Sequence, residues 1–140
     1  MYAPFRTFLI AAALATPVAG LAFEPSAAVK VTPLLETTTT WEGKQIVYPE
    51  GTAQITGLAI ELAPGAETGW HAHPVPSFGM VLEGTLAVTL KDGRVKTLRA
   101  GEAIAEVIDT MHNGRNIGDK PVKLLVFYAG AVGRPLTTKR

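Results

Sequence analysis

The sequence predicts an all-β fold in a single domain, and three observations lead to that prediction. A chain of 140 residues has the usual length of one domain. Its 14 glycines and 10 prolines indicate many turns. Segments of apolar and β-branched residues recur about every 8–12 residues with turn residues between them, which is typical of a sandwich or a barrel.

The first 22 residues resemble an export signal that is removed from the mature protein. Arg6 gives a positively charged start, residues 8–15 are uniformly apolar, and residues 17–22 supply the small side chains that precede a cleavage site after Ala22. The apolar stretch is well short of the roughly 20 residues that a membrane-spanning helix needs, so a stable membrane anchor or a buried helix is the weaker alternative. We therefore expect a periplasmic or secreted protein.

The rest of the chain divides into an N-terminal extension, residues 23–50, and a folded domain, residues 51–135. In the extension, the β-branched and aromatic residues Thr37–Trp41 predict an edge strand. The dipeptide Asp92-Gly93 predicts a tight hairpin turn, because both residue types tolerate a positive φ. The predicted strands of the domain are Ile55–Leu62, Ser77–Leu82, Leu86–Lys91, Arg94–Leu98, Ala103–Ile108 and Val122–Tyr128.

The composition excludes several classes of function. The chain has no cysteine, which rules out disulfides, thiolate nucleophiles and cysteine zinc sites. Its 13 basic and 12 acidic residues nearly balance, so no surplus of positive charge is available to bind a nucleic acid. The same balance gives no electrostatic reason for binding a membrane surface.

Three histidines, His71, His73 and His112, are the candidate metal ligands. His71 and His73 are two residues apart, so on an extended strand both imidazoles project from the same face. His112 would have to approach from another part of the fold. Neutral imidazole is the commonest metal ligand in proteins, but a His-x-His pair alone more often belongs to a solvated strand face.

Around the histidines the sequence resembles the first motif of the cupin family. That motif is a glycine, five residues, His-x-His, three or four residues, a glutamate, six residues and a glycine. The matching segment begins at Gly65, contains His71 and His73, and ends at Gly84. Every spacing is kept, and Ser77 stands in place of the glutamate.

A second cupin motif follows further along the chain. It is a glycine, five residues, Pro-x-Gly, two residues, a histidine, three residues and an asparagine. Gly101, His112 and Asn116 match this motif in register, whereas Val107 and Asp109 replace its proline and glycine. The two motifs together make a solvated-surface or core-packing origin of the histidines improbable.

The resemblance covers roughly residues 55–129, and it implies a jelly-roll-like barrel, the double-stranded β-helix of cupins. It also implies that the three histidines bind one divalent transition metal, with Fe, Zn, Cu, Mn and Ni not distinguishable. Ser77 is expected to hold a water or a substrate atom beside the ligands. Asn116 either braces the loop that carries His112 or is an ordinary turn residue.

Two functions of different class follow from the resemblance. Some cupin dioxygenases are similar to this chain in using three histidines without the carboxylate. The first function is therefore a dioxygenase-like, metal-dependent enzyme acting on a small anionic substrate, since three neutral ligands leave the ion its full double charge. The second is a noncatalytic cupin that binds a metal or a small ligand. A homodimer is compatible with both.

Overall fold

The computed structural model describes residues 28–139 of the chain. The predicted export signal, residues 1–22, lies outside the described residues. One compact unit, residues 33–140, carries every strand of the described chain. The other unit spans residues 1–32, and its described part, residues 28–32, contains no strand. Nowhere in residues 28–139 is there a helix long and apolar enough to cross a membrane.

Two antiparallel sheets make up the fold. The larger has the order β1-β7-β2-β5 and the smaller the order β4-β3-β6. Their strands are β1 (Ala53–Leu62), β2 (Ser77–Glu83), β3 (Thr85–Leu90), β4 (Val95–Arg99), β5 (Ala103–Ala105), β6 (His112–Asn116) and β7 (Val122–Ala131). The all-β prediction is therefore confirmed.

The hydrophobic core lies between the two sheets. Val81 and Val122 from the larger sheet pack in one cluster with Leu86, Val88 and Leu98 from the smaller one. Alternation along each strand sends these side chains inward, and burying each contributes roughly 1.5–3 kcal/mol. The sheets face each other without closing, so the predicted jelly-roll-like barrel takes the form of an open sandwich.

Gly84 permits the connection between β2 and β3. Its φ of 83° lies in the left-handed region that favours glycine. A Cβ there would lie 2.7 Å from the carbonyl oxygen of Pro121. The glycine that ends the first motif is therefore required by both backbone conformation and space.

The predicted edge strand at Thr37–Trp41 is wrong. Thr39 forms only an isolated bridge with Gln45, because the chain reverses at Gly43, where φ is 97°. The Trp41 N–H donates to the carbonyl of Ala105 at 3.1 Å, so this turn docks against the end of β5. Tertiary contact has overridden the strand propensity of the threonines.

Two other strands differ from the prediction. β5 ends at Ala105 rather than at residue 108. β6, His112–Asn116, falls where a loop or turn was predicted. Its polar, glycine-containing sequence has little strand propensity, and pairing with β3 from Leu86↔Asn116 to Leu90↔His112 imposes the extended conformation.

Candidate metal centre

The three histidines converge, as the sequence predicts. His71 and His73 lie on the extended segment before β2, and His112 begins β6. The His71 N–H donates to the carbonyl of His112 at 3.0 Å, and the His112 N–H donates to the carbonyl of His71 at 2.9 Å. The ring centroids are 4.8 Å apart for His71 and His73, 4.3 Å for His71 and His112, and 4.9 Å for His73 and His112.

Each imidazole is oriented by a hydrogen bond at its Nδ1 atom. Nδ1 lies 2.7 Å from the Gly69 carbonyl in His71, 2.8 Å from the Leu136 carbonyl in His73 and 2.9 Å from the Thr110 carbonyl in His112. A carbonyl oxygen only accepts, so Nδ1 of each ring carries the proton and the lone pair is on Nε2. One potential ligand atom from each of the three residues lies within 4.8 Å of the other two. This donor set fits a transition metal with open coordination positions.

Burial keeps the three rings neutral. It lowers the pKa of His71 and of His112 below the usual 6.5, and it lowers the pKa of His73 to about 4. Only the neutral imidazole has a lone pair to offer a cation. At neutral pH the cluster is therefore ready to bind a metal without first losing protons.

The chain end beyond the predicted domain boundary at residue 135 supports this cluster. Ala72 and Thr138 exchange backbone hydrogen bonds of 2.9 and 2.8 Å, which holds residues 136–138 beside the first two histidines. Leu136 then presents its carbonyl to His73. These contacts come from residues beyond the predicted boundary, and backbone groups supply them, so the Leu-Thr-Thr sequence gives no sign of them.

His112 is held by a second line of contacts. Thr110, whose carbonyl accepts from the His112 ring, donates its own hydroxyl to Oε1 of Glu42 at 2.9 Å. Glu42 also lies 3.6 Å from the guanidinium of Arg94. The loop before His112 is thereby tied to the N-terminal turn and to the β3–β4 hairpin.

Asp109 explains one departure from the second motif. It stands where the motif has a glycine, and its φ of 56° is the one positive value among the described residues other than glycine. Aspartate is among the residues that tolerate this conformation. The Asp109 N–H donates to the His73 carbonyl at 2.8 Å, so the turn joins the two motifs.

A cavity of about 70 Å³ opens beside the histidines. Its walls are mostly apolar side chains of both sheets, among them Leu62, Leu98 and Val126. By the room that a buried water requires, it accommodates a molecule of about five non-hydrogen atoms. The site therefore combines a polar ring cluster with an apolar chamber.

Ser77 lines this cavity, as expected from its place in the first motif. Its side chain is 1% exposed, and among the described residues no group forms a hydrogen bond with its Oγ. Tyr128, its partner in the β2–β7 pairing, packs its ring edge against His73 with centroids 5.1 Å apart. Ser77 thus lies on the wall of the cavity that the three rings also line.

Glu106 is a cavity residue that the sequence interpretation missed. Its Oε1 accepts hydrogen bonds from the Val107 N–H at 3.2 Å and from the Trp41 indole at 3.4 Å. Burial raises the pKa of its carboxyl, and these hydrogen bonds oppose that effect. A single acid within the apolar stretch at residues 103–108 was a signal that could have marked it.

Asn116 lies apart from the residues that line the cavity. Its side-chain amide donates to the carbonyls of Leu62 at 3.0 Å and Lys120 at 2.8 Å, and its oxygen accepts from the Gly118 N–H at 2.9 Å. It braces the turn after β6 against the end of β1. These hydrogen bonds give the Asn116 side chain a structural role.

Comparison with known proteins identifies relatives of the chain. The family described as a cupin domain, Cupin_2, matches residues 58–128. A curated protein, polyketide synthase CurC of Streptomyces cyaneus, is 35% identical over 85 residues, which are 60% of this chain and 54% of that protein. The chain therefore spans about half the length of that relative.

Solved structures show the same fold. Oxalate decarboxylase from Lactobacillus farciminis, in a formate complex, superposes with a TM-score of 0.53 at 22% identity, covering 61% of this chain and 26% of that one. The protein BH2720 from Bacillus halodurans superposes with a TM-score of 0.52 at 28% identity, covering 60% of this chain and 67% of that one. At 22% identity the first likeness concerns the fold alone.

Proposed function

The chain belongs to the cupin domain family, and from that membership we propose that it is a metal-dependent, dioxygenase-like enzyme acting on a small substrate. The three histidines would hold one divalent transition metal. The substrate would bind beside it as an anion in the apolar cavity. The observation that carries the proposal is the orientation of the rings, each fixed through Nδ1, with no hydrogen bond to Nε2 from the residues that the structure describes.

The charge of the site supports an anionic form of the substrate. Three neutral imidazoles leave a divalent ion its full charge, and when bound such an ion stabilises negative charge on oxygen or sulfur atoms. The residues of this chain would orient the substrate and exclude water, since the chamber beside the rings is lined mostly by apolar side chains.

Export to the periplasm is part of the proposal. Its support is the composition of residues 1–22, which have a positive start, an apolar stretch and small residues before Ala22. Outside the cytosol several divalent metals would compete for the site, and intrinsic affinity favours copper and zinc over iron. The identity of the metal therefore has to be measured on protein from its own compartment.

The test is elemental analysis of protein purified from the periplasm, followed by oxygen uptake with a panel of small acids, thiols and diketones. Diketones are included because the curated relative is named a polyketide synthase and polyketide chains contain such groups. We expect one metal ion per chain and oxygen uptake with at least one of the three classes of compound in the panel. The matched control is His112→Gln, which should lose both metal and uptake.

A noncatalytic function, the binding of a metal or small ligand, is the second candidate. The small size of the cavity, about 70 Å³, favours it, because small-molecule sites usually measure roughly 300–1,000 Å³ and this chamber leaves little room for two reactants beside an ion. One metal per chain with no oxygen uptake and no substrate turnover across the panel would support this alternative.

A further inference from the structure

Ser77 and Glu106 lie side by side at one corner of the cavity. The Glu106 N–H donates to the Ser77 carbonyl at 2.9 Å, immediately beyond the pairing of β2 with β5. Both side chains line the same chamber as the three histidines. Where the family motif has a glutamate this chain has Ser77, and the carboxylate in the cavity comes from Glu106, the residue that follows β5.

The Ser77 hydroxyl has an unused hydrogen-bonding capacity. It is 1% exposed, and its Oγ has no partner within residues 28–139. A buried hydroxyl without a partner is destabilising, and native proteins keep few of them. Its place on the cavity wall indicates that the missing partner belongs to a ligand.

Only one oxygen of the Glu106 carboxyl accepts hydrogen bonds from the residues that the structure describes. Trp41 and Val107 both donate to Oε1, and no hydrogen bond to Oε2 is formed by any part of the chain that the structure describes. The two donors fix the orientation of the carboxyl, so Oε2 is a positioned acceptor. It is also outside the group of three residues whose ligand atoms converge.

We propose that Ser77 and Glu106 form a polar subsite that recognises the hydroxyl and carbonyl groups of a small, neutral hydroxy-carbonyl compound. The Ser77 hydroxyl donates to the ligand carbonyl, and Oε2 of Glu106 accepts from the ligand hydroxyl. This inference rests on the proposed function and deepens it by naming the class of substrate: the compound enters neutral, and the anion beside the ion would form only after its hydroxyl proton passes to Oε2 of Glu106.

The surroundings favour a neutral compound as the form that enters. The apolar walls make it costly to bring in a charge that has lost its water. A carboxylate in the cavity also opposes a second negative charge beside it. A hydroxyl satisfies Oε2 without either penalty.

The test uses two probes of equal size, hydroxyacetone and 2-butanone, which differ only by a hydroxyl in place of a methyl group. Their dissociation constants are measured by NMR titration of the full chain, first after metal removal with EDTA and then after loading with Zn²⁺. We expect the metal-free parent to bind hydroxyacetone about tenfold more tightly, since a hydrogen bond to a charged group has about that effect.

Two variants and one control identify the source of the preference. Glu106→Gln keeps an oxygen for Trp41 and Val107 but replaces the free acceptor with an NH₂ donor, so the preference should disappear. Ser77→Ala removes only the hydroxyl that donates to the carbonyl, which both probes have, so it should weaken the binding of both and leave the preference largely unchanged. Glu61→Gln makes the same chemical change on the exposed part of β1 and should leave the preference intact.

A preference that survives Glu106→Gln, or a parent that binds neither probe, would overturn the subsite. Failure of the chain to bind Zn²⁺ would count against the proposed function. The metal-free titration decides the subsite independently of that result.

Discussion

Asn116 and Ser77 are equally buried, each with 1% of its surface exposed, yet their hydrogen bonding is opposite. The side chain of Asn116 forms three hydrogen bonds with the backbone of neighbouring segments. The Ser77 hydroxyl forms none with the residues described. A buried polar group whose bonds are complete stabilises the fold, whereas one whose bonds are missing on a cavity wall has hydrogen-bonding capacity left for a molecule in that cavity.

Each histidine side chain has one nitrogen with a hydrogen-bond partner and one nitrogen available to a ligand. Nδ1 of each ring is bonded to a carbonyl, and Nε2 is left for a cation. The first atom orients the ring and the second supplies the chemistry. Variants that remove one or the other kind of contact can therefore separate folding from binding.

The largest effect is expected from removing a ligand atom. His73→Ala should weaken Zn²⁺ binding by more than the roughly 10–100-fold that changes behind the ligands cost, because it removes one of three protein donors. Calorimetric titration measures this loss. Thr137→Val is the control, because it removes a hydroxyl that lies 3.2 Å from Nδ1 of His73 and keeps all three ligand atoms, so its effect should be smaller. Unchanged Zn²⁺ affinity in His73→Ala would place the ion elsewhere.

The next largest effect should be a difference in the free energy of unfolding between Asn116→Ala and Ser77→Ala. Asn116→Ala leaves buried backbone groups without partners and should lower the free energy of unfolding by about 3 kcal/mol. Ser77→Ala removes a hydroxyl that has no partner among the described residues, so it should change the free energy of unfolding by less than about 0.5 kcal/mol, or raise it. Urea unfolding of both metal-free variants makes the comparison. Equal losses would show that Ser77 has a structural partner in solution.

The sequence predicted the parts of the site that side-chain spacing encodes. His71, His73 and His112 were identified because their positions match both motifs, and Ser77 followed from the same spacing. The residues behind them were not identified. Gly69, Thr110 and Leu136 act through carbonyl oxygens, which every residue has, so the sequence offers no sign of their role.

Most strands were predictable because their own residues encode them. The prediction failed for β6, whose extended conformation depends on contacts that the local sequence does not encode. The apolar stretches that form β1 and β7 were found within a few residues of their bounds. β6 is extended because β3 and the segment before His71 hold it on both sides. Pairing partners distant in sequence decide such a strand, and local propensity does not.

A pH dependence should appear in the metal-free protein. The pKa of His73 is about 4 in the folded chain and about 6.5 when unfolded, so between these values the unfolded state binds more protons. The free energy of unfolding should therefore fall as the pH drops from about 6.5 to about 4, by up to about 3 kcal/mol from this group.

Glu106 acts in the opposite sense on acidification, because burial raises the pKa of its carboxyl and the folded state therefore takes up this proton at a higher pH than the unfolded state does. The contribution of His73 is therefore read from the difference between the parent and His73→Gln across that pH range. Parallel curves for the two proteins would contradict the prediction.

The smallest effect is expected from restoring the motif glutamate. Ser77→Glu places a carboxylate on the cavity wall beside the rings, where it can supply a fourth ligand and neutralise one unit of the ion's charge. Zn²⁺ affinity should rise about tenfold, which corresponds to about 1.4 kcal/mol. Without metal the new carboxylate lies near Glu106, and repulsion between the two should lower the thermal midpoint.

Ser77→Gln has the same size without the charge, so it is the matched control for both measurements. A gain in affinity that Ser77→Gln shares would mean that filling the space, and not the negative charge, tightens the site. No gain in either variant would mean that residue 77 cannot reach the ion, and the chain's own carboxylate at Glu106 would then be the one acid that the cavity can use.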